Sequence, residues 1–202
     1  MLKYRQYKNY KEFNEAKQAC RECQIGKAYD KVVASDGNTI NPKVLFCGEA
    51  PGNDEVIKGI PFVGKAGKLL RSTLKEFRFT SENSLITNTI PCRPQDNQFP
   101  KDEGIVKACK NTWLREELRL TNPDIIVLVG AKPLKFLLGL EGITKTRGQW
   151  FERKFNGKTI KLMAIFHPSY VLRKEYMDEG KQIKEDFRND LKLISKTCGL
   201  SV

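Results

Sequence analysis

The run Ile125-Ile126-Val127-Leu128-Val129 has no polar face, which predicts a strand across Asp124 to Gly130 that is buried on both sides. Three further runs, Val44 to Cys47, Ser84 to Ile90 and Ile160 to Phe166, read as strands of similar length. Between and after them apolar residues recur at helical spacing. Ala66, Leu69, Leu70, Leu74 and Phe77 mark one helix, and Ile105, Val106, Cys109 and Trp113 another. Pro133 to Leu138 gives a short one, and Ile183, Phe187, Leu191 and Ile194 the last. Strands alternating with helices predict an α/β fold, a three-layer α/β/α sandwich around a central, mostly parallel four-stranded sheet. The 202 residues fit a single domain, 1–202, opened by a helix over about 8–30 (Tyr10, Phe13, Ala16, Cys20) and closed by one over about 180–197.

In such a sheet, ligands bind beyond the carboxyl ends of the strands, and three polar features sit there. Gly48-Glu49-Ala50-Pro51-Gly52 follows the first strand, and its small residues let main-chain amides approach a ligand. Asn88 stands late in the second strand, with a side chain that both donates and accepts, as reading a nucleobase edge requires. His167-Pro168-Ser169 follows the fourth, and His167 is the only histidine in the chain. Gly59-Ile60-Pro61-Phe62-Val63-Gly64-Lys65-Ala66 nearly matches a phosphate-binding loop. It has Ala66 where a magnesium-binding hydroxyl belongs, Pro61 removes an amide, and no strand leads into it. An NTPase is therefore a minor alternative.

The net charge of +12 points to a polyanionic partner, nucleic acid first. The polar N-terminus lacks a signal-like apolar core and no stretch approaches the ~20 apolar residues of a membrane span, so a cytoplasmic protein is expected. Disulfides are not expected there. Of six cysteines, Cys20 and Cys23 form a C-x2-C pair and Cys92 and Cys109 a C-x16-C pair. Four thiolates suit zinc or an iron–sulfur cluster, and spacing does not choose. Cys47 and Cys198 read as unrelated thiols.

Taken in order, C-x2-C, GEAPG, GIPFVGKAG, Asn88 ahead of Cys92-Arg93-Pro94, C-x16-C and His167-Pro168-Ser169-Tyr170-Val171-Leu172-Arg173 resemble family 4, the iron–sulfur uracil-DNA glycosylases, from about Cys20 to the closing helix. The resemblance implies a 4Fe-4S cluster on Cys20, Cys23, Cys92 and Cys109. It implies a monomer acting on uracil-containing DNA, single- or double-stranded, that hydrolyses the bond between uracil and deoxyribose to start base excision repair. The base would leave the stack at a cost of a few kcal/mol. By the same resemblance Phe62 stacks on the flipped uracil, Asn88 reads its polar edge, and Gly48, Glu49, Ala50, Pro51 and Gly52 line the pocket. His167 faces the leaving base, Glu49 positions the water, Glu55 shapes the pocket against a thymine methyl, and Ser169 and Arg173 contact DNA. Where better-known members of the superfamily carry an aspartate, this chain has Ala50. A DNA-binding relative that has lost turnover is the alternative outside catalysis.

Overall fold

The computed structural model describes residues 4–29 and 31–200. The first helix, α1 (Tyr10–Gln18), is capped by Asn9, whose side chain accepts the Glu12 amide at 2.9 Å; α2 (Gln24–Tyr29) follows. The single helix expected over about 8–30 is thus two, and Cys20 and Cys23 lie in the link between them; Asp30 is outside the described residues. Then come β1 (Asp36–Gly37), β2 (Val44–Gly48), α3 (Asn53–Lys58), α4 (Lys65–Glu76) and β3 (Ser84–Asn88). Next, α5 (Glu103–Cys109) continues through a π-helical turn, Lys110–Leu114, into α6 (Arg115–Thr121). The chain ends with β4 (Ile125–Val129), α7 (Ala131–Leu138), α8 (Ile143–Thr146), β5 (Trp150–Phe155), β6 (Lys158–Ile165), α9 (Pro168–Lys174) and α10 (Gly180–Thr197).

The strands form one open sheet in the order β1-β3-β2-β4-β6-β5. The four expected strands are its parallel centre, with Gly48 opposite Asn88 and Val129 opposite Ile165. The sheet nevertheless has six strands rather than four, because β1 and β5 add antiparallel edges. Strand β5 escaped the apolar pattern because Glu152, Arg153 and Lys154 face solvent on an edge. Its turn carries a readable signal: Asn156 and Gly157 both have positive φ, 50° and 83°, as a two-residue hairpin demands.

Alternation along the buried strands sends Val44, Phe46, Val127 and Ile165 to one face, under α4, α9 and α10. Leu45, Cys47, Leu128 and Ala164 go to the other, under α6 and α7. This is the expected three-layer arrangement. A third apolar cluster, built on Phe13, Ile90, Val106 and Trp113, joins α1 to α5 and its π-turn and includes Cys20 and Cys109. Because β2 lies between β3 and β4, the chain leaves β2 toward one side and β4 toward the other, which opens a crevice at their carboxyl ends.

Candidate functional site

A cleft of about 700 Å³ occupies that crevice, and the loops after β2, β3, β4 and β6 all contribute to it. Gly48, at the end of β2, is paired in register with Asn88 and is fully covered by it and by Phe62. A Cβ on Gly48 would stand 2.5 Å from Phe62 Cζ and would also collide with Asn88 Oδ1, so only glycine lets ring and amide meet there. Asn88 is 8% exposed, and its Oδ1 is buried without a hydrogen-bond partner among the described residues. A buried acceptor left unpaired costs on the order of 1–3 kcal/mol, which a ligand N–H removes. Phe62 lines the cleft with φ of 54°, a conformation a bulky residue adopts only under constraint.

Glu55 supplies part of that constraint. Its Oε2 accepts from the Gly52 amide at 3.0 Å, and Oε1 accepts from the amides of Val63 and Gly64 at 2.9 and 3.0 Å. One carboxylate therefore ties the loop after β2 to the loop before α4. The same bonds dispose of the phosphate-loop alternative, since two amides that would cradle a phosphate already serve Glu55, and α3 rather than a strand leads into the segment.

His167 caps α9, its Nδ1 accepting from the Ser169 amide at 3.2 Å and lying 2.8 Å from Ser169 Oγ. An Nδ1 that accepts leaves Nε2 carrying the proton. Arg173 donates to Ser169 Oγ at 3.2 Å, which orients the hydroxyl toward the ring. Burial, and then the Arg173 charge, push the imidazole down to about 4 against a weaker opposing pull from Glu55. The ring is neutral at pH 7. It stands 6.0 Å from the Phe62 ring, centroid to centroid, and packs against Gly130, where φ is 105° and a Cβ would lie 3.0 Å from His167 Cβ. Beneath it, Arg147 lies over the Phe166 ring and grips Asp190 of α10 with two nitrogens.

Glu49, Ala50, Pro51 and Gly52 line the cleft, as do Ser169 and Arg173. Gly48 forms its floor beneath Asn88 and Phe62 without belonging to the open surface. The Glu49 carboxyl is held above its usual range by burial, opposed by Lys132 at the start of α7. Ala50, which has no group to activate a water, also packs on the third apolar cluster. Gly130 was not singled out by sequence reasoning, although it follows β4 as Gly48 ends β2, and the same strand-end rule reaches it. Arg71, which holds the Phe62 carbonyl, gave no signal at all.

None of the four cysteines of the two spaced pairs is in a disulfide. Among the described residues no three His, Cys, Asp or Glu side chains form a ready coordination shell. They do share one field. The Cys109 thiol is pushed up by a hydrogen bond with Cys23, by burial, and by the charges of Cys23, Cys92 and Cys20. Burial, then Cys23 and Cys20, push Cys92 up to about 12, while Arg21 and Lys17 oppose. Cys47, by contrast, is shut inside β2 against Thr89, and Cys198 lies past α10; neither joins the group.

A sequence profile of the uracil DNA glycosylase superfamily matches residues 34–192. A type-4 uracil-DNA glycosylase of Archaeoglobus fulgidus is 35% identical over 185 residues, covering 89% of this chain and 88% of the relative. One from Thermotoga maritima is 35% identical over 179 residues, 88% of this chain and 90% of the relative. One from Saccharolobus solfataricus is 33% identical over 182 residues, 87% and 82% respectively.

Proposed function

The chain belongs to the uracil DNA glycosylase superfamily, and from that premise we propose that it excises uracil from DNA by hydrolysing the N-glycosidic bond. One observation carries the reading: the unpaired Asn88 Oδ1 beside the Phe62 ring, with neutral His167 across the cleft. Uracil presents an N3–H that satisfies this acceptor, whereas cytosine presents an acceptor there and leaves both atoms unpaired. Phe62 takes the base face. His167 Nε2–H donates to the uracil O2 as negative charge gathers on the departing ring, and it needs no proton transfer to do so. Burial raises the Glu49 carboxyl and Lys132 opposes part of that rise; in its ionised form Glu49 orients a water toward the sugar carbon as the sugar becomes cationic. Hydrolysis adds that water across the bond, leaving free uracil and an abasic site. Glu55 is committed to three backbone amides, so we assign it to shaping the pocket wall rather than to the water.

The donor set fits a 4Fe-4S cluster: Cys20, Cys23, Cys92 and Cys109 would hold it, and it would serve as a cross-link between the link after α1 and the α5 region. Burial and the neighbouring cysteines push the Cys92 and Cys109 thiols up, a field that a bound metal cation would reverse. Ser169 and Arg173 at the rim, together with the net charge of +12, suit DNA phosphates. Incubating the protein with a uracil-containing oligonucleotide, followed by alkaline scission, tests the reading. Breakage confined to the uracil position is expected; tight binding without breakage would leave the inactive relative instead.

A further inference from the structure

The Phe62 carbonyl and the carbonyl before it point away from the cleft, toward α4, and one side chain takes both. Arg71 Nε donates to Phe62 O at 2.9 Å, and Nη2 donates to Pro61 O at 2.7 Å. The same Nη2 meets Asp36 Oδ2 at 2.7 Å, on the edge strand β1. We propose that Arg71 is a positioning residue for base recognition: anchored by Asp36, it clamps the Pro61–Phe62 backbone so that the Phe62 ring stays in the cleft. This rests on the glycosylase reading above.

Two further facts make the clamp necessary. At φ of 54°, Phe62 sits in the left-handed region, and without restraint its backbone relaxes toward extended geometry, which carries the ring elsewhere. Glu55 fixes only the following amides, Val63 and Gly64, so the two residues before them depend on Arg71. One turn earlier on α4, Gly67 touches the Phe62 backbone so closely that a Cβ there would lie 2.5 Å from Phe62 Cα. The loop is thus pressed against α4 at one point and hydrogen-bonded to it at another. Charge-assisted bonds to carbonyls are stronger than neutral ones, and a guanidinium can span both oxygens where an ammonium reaches one.

The experiment uses the whole protein with its metal and compares Arg71→Met, Arg71→Lys, Phe62→Ala and the Met/Ala double variant in single-turnover cleavage of a uracil oligonucleotide. Arg71→Met should raise the half-saturating enzyme concentration about tenfold while the maximal rate stays within about threefold, since the ring contacts base in ground and transition states alike. Arg71→Lys should recover part of the loss. In the Phe62→Ala background, Arg71→Met should add almost nothing, because it acts through the ring that is gone. An undiminished effect in that background, or wild-type kinetics for Arg71→Met, overturns the inference. Hydrogen exchange over residues 60–64 reads the clamp without catalysis: faster exchange in Arg71→Met supports it, and an unchanged rate overturns it. An inactive wild type would strike the glycosylase reading instead, a result these exchange rates do not imitate.

Discussion

The two faces of the sheet and the N-terminal lobe bury side chains in different ways. On the sheet, Leu45, Phe46, Ile126, Val127, Leu162 and their neighbours exclude water with aliphatic and aromatic surface alone, as parallel strands covered by helices do. In the lobe a smaller apolar cluster shares its interior with a charged pair. Lys17 of α1 meets Glu117 of α6 at 3.1 Å, with side chains 2% and 0% exposed. Ser35 and Tyr10 donate to Glu117 Oε1 at 2.5 and 2.8 Å, and Thr87 donates to Oε2 at 2.9 Å. Burial pushes the Glu117 carboxyl up, but Lys17 and the Ser35 and Tyr10 hydroxyls outweigh it and hold the group below its usual range. Next to it Glu116 takes the Tyr7 amide and the Arg119 guanidinium. Four thiols complete the lobe. Packing holds the sheet regardless of chemistry, whereas the lobe depends on every polar partner and, on our reading, on its metal.

The comparison breaks first at the ion pair. Glu117→Ala strands Lys17 in the interior, and the expected loss is about 3–5 kcal/mol by chemical denaturation, against about 1 kcal/mol for Ile126→Val in the sheet. Equal losses would mean that the two regions are stabilised alike. Next in size is His167→Ala in the cleft. It should slow single-turnover cleavage by about 10²–10³-fold while largely sparing affinity for a non-cleavable uracil analogue, because its bond matters once charge has formed. A wild-type rate would return His167 to the role of helix cap.

Between the regions, Cys92→Ala should deplete iron and unfold the lobe ahead of the sheet, while Cys47→Ala leaves the iron content unchanged. Iron analysis and hydrogen exchange of 10–29 check both, and a colourless, zinc-bearing wild type would replace the cluster with zinc. Asn88→Asp places a carboxylate oxygen where an amide donor served the O4 side, and uracil affinity should fall by about 1–3 kcal/mol with a relative gain for cytosine. Competition between the two bases in one oligonucleotide measures it.

The smallest effect concerns pH. Catalysis requires neutral His167, whose titration should cost activity only as pH drops through the ring's own value of about 4; a fall that begins above this belongs to the Glu49 carboxyl, which burial raises. Arg173→Ala removes a charge that depresses that value, so the acid limb should move upward. Proton NMR of the single imidazole reads the shift directly, and an unmoved titration would show that burial alone sets it.

How much of this was legible depended on how local each signal was. The closing helix over 180–197 and the central strands were readable because period and burial repeat along the chain itself. Asn88 and His167 could be chosen because both stand at strand ends, where an α/β sheet puts its ligands. Edge strand β1 is only Asp36–Gly37, too short to have a pattern. The break after Gln18 was hidden because apolar spacing runs on to Cys20 while the helix does not.

The residues alone determined the alternation of strands and helices, the place of the cleft and the ordered motifs that gave the family, since each is written in consecutive or periodically spaced positions. Tertiary structure alone decided partners: that Glu55 would face backbone amides, that Arg71 would reach Asp36 and the Phe62 carbonyl, and that Ser169 would fix the His167 tautomer. It also decided that Lys17 would find Glu117 one hundred positions away. A charged side chain looks the same in sequence whether it ends in water or against a buried opposite charge. Chain folding brings distant segments together and sets which groups must satisfy one another once solvent has been excluded.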